Sequence, residues 1–307
     1  MAETRAYYDS YDGAPLAYRV LGAGTRPPRA GGRPVLPLVA LAGGPGRDAA
    51  YLGDLGGLSE DRPLVIPDLR GTGESRGSAV GSDPGAYAFP RLARDLEALR
   101  EDLDLDRMAL FGHSAAATLA QAYAAEFPGR VSHLVLVAPG TRLQGRATRD
   151  AEEIFRSRSG EPWYEDAAAA IAALSHARDL TEARALLLRA APGTYGTWGP
   201  RQREHAESEA GQLNPVPRAA FWQGVDEVAR LDLLERLDDV RAPVLVLTGA
   251  LDGLGGTEAG SVVSRCFRDS RHLALDGCGH YPWVDHPDLF RRALNTFLDQ
   301  YPEPDQD

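Results

Sequence analysis

Three residues of this chain combine the types that nucleophilic acyl chemistry needs: Ser114, Asp252 and His280. A serine hydroxyl is a poor nucleophile near neutral pH. It needs an imidazole to take its proton, and the imidazole needs a carboxylate to hold it and to stabilise its charged form. Each of the three follows an apolar run and sits among small residues, in Gly112-His113-Ser114-Ala115-Ala116, Gly249-Ala250-Leu251-Asp252-Gly253 and Gly277-Cys278-Gly279-His280. Alone, each has a plainer role: Ser114 as a helix N-cap, Asp252 as a turn residue, His280 as a hydrogen-bonded loop residue. Together they point to a triad with Ser114 as nucleophile, His280 as base and Asp252 as the orienting acid. Asp276 is a rival acid, but it lies on the same strand end as His280. His113 is expected to shape the pocket rather than to act as base.

A fourth stretch, Ala42-Gly43-Gly44-Pro45-Gly46, lets backbone approach something closely. It reads either as a tight turn or as an oxyanion loop, in which the N–H of Gly44 pairs with that of Ala115 around a developing negative oxygen. The glycines of Asp68-Leu69-Arg70-Gly71-Thr72-Gly73-Glu74-Ser75 make no dinucleotide fingerprint, because the third falls at Gly77 and no helix opens there. Asp68 and Arg70 are expected to form an ion pair across that loop.

Elements must carry these residues to one place. Tyr7 to Leu21 reads as a hairpin turning at Asp12-Gly13, and Gly22 to Pro34 as a loop. Val35 to Leu41, Pro63 to Pro67, the run before Gly112, Val131 to Val137, Pro243 to Thr248 and His272 to Leu275 read as short buried strands. Between them, Asp48 to Ser59 reads as a short helix. Phe89 to Leu103 is amphipathic, with Leu92, Leu96, Leu99 and Leu103 at helical spacing, and a further helix follows Ser114 to about Phe127. The terminal helix is expected from about Pro287 to Gln300, with a frayed tail. This alternation predicts an α/β fold: a mostly parallel sheet with helices on both faces and ligands at the carboxyl ends of the strands. Thr141 to Asp239 breaks the pattern with helical periodicity alone. The expected organisation is a core of residues 1–140 and 240–307 and an inserted helical cap of 141–239. Of the cap aromatics Trp163, Tyr164, Tyr195, Trp198, Phe221 and Trp222, most are expected in its interior and one or two at the pocket. Glu204, Glu207 and Glu209 read as a solvated face.

Composition narrows the function. The formal charge is 33 − 44 = −11, which argues against nucleic acid or an anionic membrane as partner. No lysine is present, so a Lys Schiff base, a Lys nucleophile and a P-loop are excluded. Cys266 and Cys278 are too few for a disulfide scaffold, and no metal-ligand spacing appears. No signal peptide or transmembrane run is seen at the start, so a cytoplasmic location is expected. Cys278 lies close enough to His280 that bulky thiol reagents are expected to inhibit.

The chain resembles the α/β-hydrolase fold superfamily along nearly its whole length. Within it, Gly43-Gly44-Pro45-Gly46, Asp68 to Ser75, Gly112-His113-Ser114 and Gly279-His280 resemble the prolyl aminopeptidase (proline iminopeptidase) group. The resemblance implies the same triad, backbone donors at Gly44 and Ala115, a helical cap, a cis peptide before Pro45 and no cofactor. It also implies cap glutamates that hold a substrate amine, for which Glu204 and Glu207 are candidates. The chain departs from the group at Ala42, where His is usual, and at Ala115 and Ala116, where Trp and Gly are usual. Candidate substrate contacts are Gly43, His113, Trp198, Glu204, Glu207, Trp222 and Trp283. The expected activity is hydrolysis of a small amide or ester of a small molecule or short peptide. Proline-type aminopeptidase activity is its most specific form. Carboxylesterase, lactonase or tailoring hydrolase activity is the alternative, and a non-catalytic binder the reading from another class. An acidic pocket favours the peptidase and an apolar one the esterase. The oligomeric state is left open.

Overall fold

Along each central strand, alternate side chains join different hydrophobic clusters. Val39, Leu41, Val65, Leu110, Leu134, Leu136 and Val246 enter one, and Leu38, Ala40, Leu64, Ile66, Phe111, Val135 and Leu247 the other. Both faces of the sheet are therefore buried, as the continuous apolar runs require. The computed structural model describes residues 3–22, 35–77 and 83–300. Its eight-stranded sheet has the order β1-β2-β4-β3-β5-β6-β7-β8. The strands are β1 (Glu3–Asp9), β2 (Pro15–Leu21), β3 (Leu38–Leu41), β4 (Leu64–Pro67), β5 (Met108–His113), β6 (Val131–Val137), β7 (Val244–Gly249) and β8 (Ser270–Leu275). The β1–β2 hairpin is antiparallel and β2 pairs antiparallel with β4, while β4, β3 and β5 to β8 run parallel.

One face is covered by α1 (Phe89–Asp102) and α2 (Ala115–Glu126), through Leu92, Leu96, Leu99, Leu119 and Tyr123. The other is covered by α12 (Pro287–Gln300), through Phe290, Leu294, Phe297 and Leu298. The segment between β6 and β7 contains only helices: α3 (Asp150–Ser157), α4 (Tyr164–Ala173), α5 (Leu180–Ala190), α6 (Pro200–Glu207), α7 (Glu209–Gln212), α8 (Pro215–Ala220) and α9 (Glu227–Arg236), with short 3-10 turns. Two more helices, α10 (Glu258–Ser264) and α11 (Pro282–Asp285), flank β8. Among the described residues no helix is long and apolar enough to cross a membrane.

Three local expectations need correction. Asp48 to Ser59 is not one helix but 3-10 turns at Ala49–Leu52 and Leu58–Glu60. Gly53, Gly56 and Gly57 take positive φ between them and break the helical path. The third strand begins at Leu38 rather than Val35, just after Pro37, which has no N–H for a ladder. Asp68 and Arg70 do not pair. Arg70, 1% exposed, bonds Asp95 at 2.6 Å, Asp12 and Ser10 instead, and Asp68 accepts the N–H of Glu74. The expected loop from Gly22 to Pro34 and the frayed tail lie outside the described residues, apart from Gly22.

Candidate active site

The elbow at Ser114 follows from the junction of β5 and α2. Its φ of 53° and ψ of −119° are rarely adopted by a side-chain-bearing residue. The turn is held by the Ser114 N–H on the Val137 carbonyl at 2.8 Å and by the Ala117 N–H on the Ser114 carbonyl at 3.0 Å. Small neighbours make it possible: a Cβ at Gly112 would stand 2.5 Å from the Ala116 oxygen. Ser114 is half-buried and opens on a cavity of about 510 Å³ that Gly44, His113 and His280 also line.

Asp252 follows β7 and His280 follows β8. The His280 Nδ1 lies 2.8 Å from Asp252 Oδ2. Asp252 Oδ1 accepts the N–H groups of Leu254 and Gly255, both at 2.9 Å. The acid is fully buried, and these contacts give both of its oxygens partners. Asp276 is not part of this pair. Because Nδ1 faces the carboxylate, Nε2 of His280 is the nitrogen left for proton transfer. The His280 backbone is pinned by its N–H on the Thr194 carbonyl at 2.7 Å.

The glycine-rich loop arrives from the other side. A Cβ at Gly43 would stand 2.5 Å from the His113 oxygen and 3.4 Å from the Ala115 nitrogen, so the loop lies directly against the elbow. Gly44 has φ +119°, and the Gly44-Pro45 peptide is cis. Neither the Gly44 nor the Ala115 N–H meets an acceptor among the described residues. Gly43 points elsewhere. Its N–H donates to the Tyr51 hydroxyl at 2.7 Å, that hydroxyl donates to His113 Nδ1 at 2.7 Å, and His113 Nε2–H donates to the His280 carbonyl at 2.9 Å. The carbonyl can only accept, which fixes this tautomer. Burial, then the neighbouring His280, hold the His113 pKa well below the usual histidine value, so the ring is a neutral link between the glycine loop and the histidine loop.

The cavity walls come mostly from the helical segment. Ile171, Leu174, Leu187 and Leu188 of α4, α5 and the turn after α4 line it together with Phe155 and Leu254. Tyr195 is the one lining residue among the cap aromatics singled out from the sequence. Glu207 lines the cavity and is exposed, while Glu209 lines it half-buried and meets Arg47 at 3.3 Å. Glu204 lies outside the lining because it faces solvent. Trp198 packs on Tyr195, Trp222 on Phe89 and Trp283 on His113, Phe111 and Phe290. These three indoles lie outside the lining too. Cys278 is fully buried, and burial pushes its thiol up to about 12. That overturns the expectation of inhibition by thiol reagents, since the group is both protonated and out of reach. Arg47, Tyr51 and Tyr281 had not been anticipated, although Arg47 is the charged residue that follows the glycine loop and Tyr281 follows His280 directly. Among the described residues no group of three or more His, Cys, Asp or Glu could hold a metal ion.

A family model described as the alpha/beta hydrolase fold matches residues 37–287. A proline iminopeptidase of Lactobacillus helveticus is 26% identical over 312 residues, covering 93% of this chain and 95% of that protein. A (lyso)-N-acylphosphatidylethanolamine lipase of Homo sapiens is 29% identical over 290 residues, covering 86% and 79%. The crystal structure of the esterase RhEst1 from Rhodococcus sp. ECU1013 superimposes with a TM-score of 0.70 at 24% identity, covering 97% of this chain and 99% of that one.

Proposed function

This chain belongs to the alpha/beta hydrolase fold family, and from that premise we propose that it is a serine hydrolase of small esters, with Ser114, His280 and Asp252 as its triad. Its esterase and peptidase relatives support hydrolysis as the chemistry. The observation that carries the triad is the 2.8 Å contact between His280 Nδ1 and Asp252 Oδ2, beside a cavity lined by both His280 and Ser114.

In this reading His280 Nε2 takes the Ser114 proton as Oγ attacks the substrate carbonyl carbon. The electron pair of the carbonyl moves onto its oxygen, which the Gly44 and Ala115 N–H groups receive. The tetrahedral intermediate collapses, the bond to the leaving group breaks, and His280 gives that group the proton. Water then repeats the sequence against the acyl-enzyme, releasing the acid and restoring Ser114. Residues 141–239 act as a cap that supplies the apolar wall.

An ester with an uncharged acyl group fits better than an aminoacyl amide. Leucine, isoleucine and alanine form the apolar part of the walls, and Glu209 already has a cationic partner. Aminopeptidase activity is the second reading, favoured by Glu207 in the lining and by the iminopeptidase relative. The two separate on a short-chain aryl ester run beside a proline arylamide, with Ser114→Ala as control. The expected result is ester turnover that falls about 10⁴-fold in Ser114→Ala, with little arylamide turnover. Arylamide turnover equal to that of the ester would exchange the two readings. Ester turnover that survives in Ser114→Ala would remove the nucleophile.

A further inference from the structure

Arg47 is 4% exposed and stands three residues after Gly44. A guanidinium has five N–H donors, and all five are taken. Nε donates to Gln212 at 2.9 Å. Nη1 donates to Glu209 at 3.3 Å and to the Tyr281 hydroxyl at 3.2 Å. Nη2 donates to the His205 carbonyl at 3.5 Å and to the Ser208 hydroxyl at 3.3 Å. Its guanidinium carbon lies over the Tyr51 ring, 4.1 Å from the centroid. No donor is left for a ligand, so Arg47, which itself lines the cavity, acts on a substrate through its charge and through what it holds.

What it holds decides the charge of the cavity. Among the described residues two carboxylates line it, Glu207 and Glu209. Glu207 is exposed, where solvent screens it. Glu209 is half-buried, where a charge acts more strongly on a ligand, and it faces Arg47. Arg184 and Arg218 also line the cavity, so once Glu209 is matched the remaining charge is not negative.

We propose that Arg47 is the residue that sets charge specificity: by occupying Glu209 it withdraws the half-buried carboxylate of the cavity from substrate ammonium groups and reserves the site for uncharged acyl groups. This rests on the cavity beside Ser114 being the substrate site. The loss of ester turnover in Ser114→Ala tests that premise separately.

The measurement is binding to Ser114→Ala protein, which keeps ligands intact, of alanine anilide and its N-acetyl counterpart. The Ser114→Ala protein is expected to bind the acetylated ligand at least as tightly as the free amine. Adding Arg47→Met uncovers Glu209 and is expected to shift the ratio about 10-fold towards the amine. Adding Glu209→Gln as well is expected to abolish the shift. Should Arg47→Met not fold, Arg47→Gln removes the charge while keeping a polar fork and makes the same comparison. A ratio unchanged by loss of the Arg47 charge, a shift that persists without Glu209, or no binding of the amine to any variant would overturn the proposal.

Discussion

At the scale of single residues, the site joins a strained serine to a set of neutral, fully bonded supports. Tyr51 is central among these, because its hydroxyl accepts from Gly43 and donates to His113. Its ring is buried, and burial raises its pKa, so the phenol stays protonated and keeps the donor that this wiring needs. Tyr51→Phe leaves the Gly43 N–H and the His113 Nδ1 without partners in a buried place. The cost is expected to be on the order of 2 kcal/mol of stability. Because the same bond fixes the glycine loop against the elbow, kcat for an aryl ester is expected to fall about 10-fold. Denaturant midpoints and kcat measured on the same preparation check both; an unchanged kcat would separate Tyr51 from the geometry of the loop. Ser114, Asp252 and His280, the residues proposed as the triad, could be picked out in the sequence because such chemistry restricts its candidates to three types at strand ends, and the structure brings His280 against Asp252 beside the cavity that Ser114 lines. Tyr51 was not, since nothing local distinguishes a tyrosine that bonds across the chain from one that packs.

At the scale of elements, α6 joins the helical segment to the core through a histidine that must stay uncharged. His205 Nε2–H donates to the Tyr51 carbonyl at 3.0 Å and Nδ1 accepts from the Tyr195 hydroxyl at 2.8 Å. Burial, then the charge of Arg47, hold its pKa down to about 4 against an ordinary histidine value of 6.5. Between those values the unfolded chain binds a proton at His205 that the folded chain refuses. Stability from this group is therefore complete above the ordinary histidine pKa and is lost as pH falls towards about 4. The loss by about pH 4.5 is on the order of 2 kcal/mol. His205→Gln is expected to be less stable near neutral pH yet to lose less of that stability on acidification. Chemical denaturation at both pH values checks this; equal acid losses in parent and variant would show that His205 is not the sensor. The elements themselves were readable where spacing is strong, as in α1 with Leu92, Leu96 and Leu99 buried in a row. They were unreadable where glycines cut a helical pattern, as between Gly53 and Gly57, and where a side chain chooses among partners distant in sequence. Arg70 passed over nearby Asp68 for Asp95 because a buried guanidinium needs several acceptors at once and the fold brings Asp95, Asp12 and Ser10 around it.

At the scale of the whole molecule, the question is whether residues 141–239 form a body of their own. Their composition set them apart as helical, and the structure contains helices throughout. Their burial says otherwise about independence. Leu143, Phe221, Leu233 and Leu237 belong to the cluster under α1 and α2, and Tyr195 belongs to the cluster on the other face of the sheet. The separate cluster within the segment holds only Ala170, Leu186 and Ala190 as buried members. Those three, with Ala167 and with Phe155 packed on Trp163 and Tyr164, are too few to offset the entropy of ordering a chain of this length. The excised segment is therefore expected to show no cooperative unfolding, although the intact chain unfolds with it. The exception inside the intact chain is the α4–α5 hairpin, which rests on that small cluster and exposes Ile171, Leu180, Leu187 and Leu188. Its amides are expected to exchange with solvent at lower free energy than those of α9, whose Leu233 is anchored in the main core. The cavity wall would then be the part that yields first, and an apolar ligand that binds there would slow exchange in α4 and α5 more than in α9. A cooperative transition in the excised segment, or exchange in α4 and α5 as slow as in α9, would mean instead that the wall is rigid and that access to Ser114 is set elsewhere.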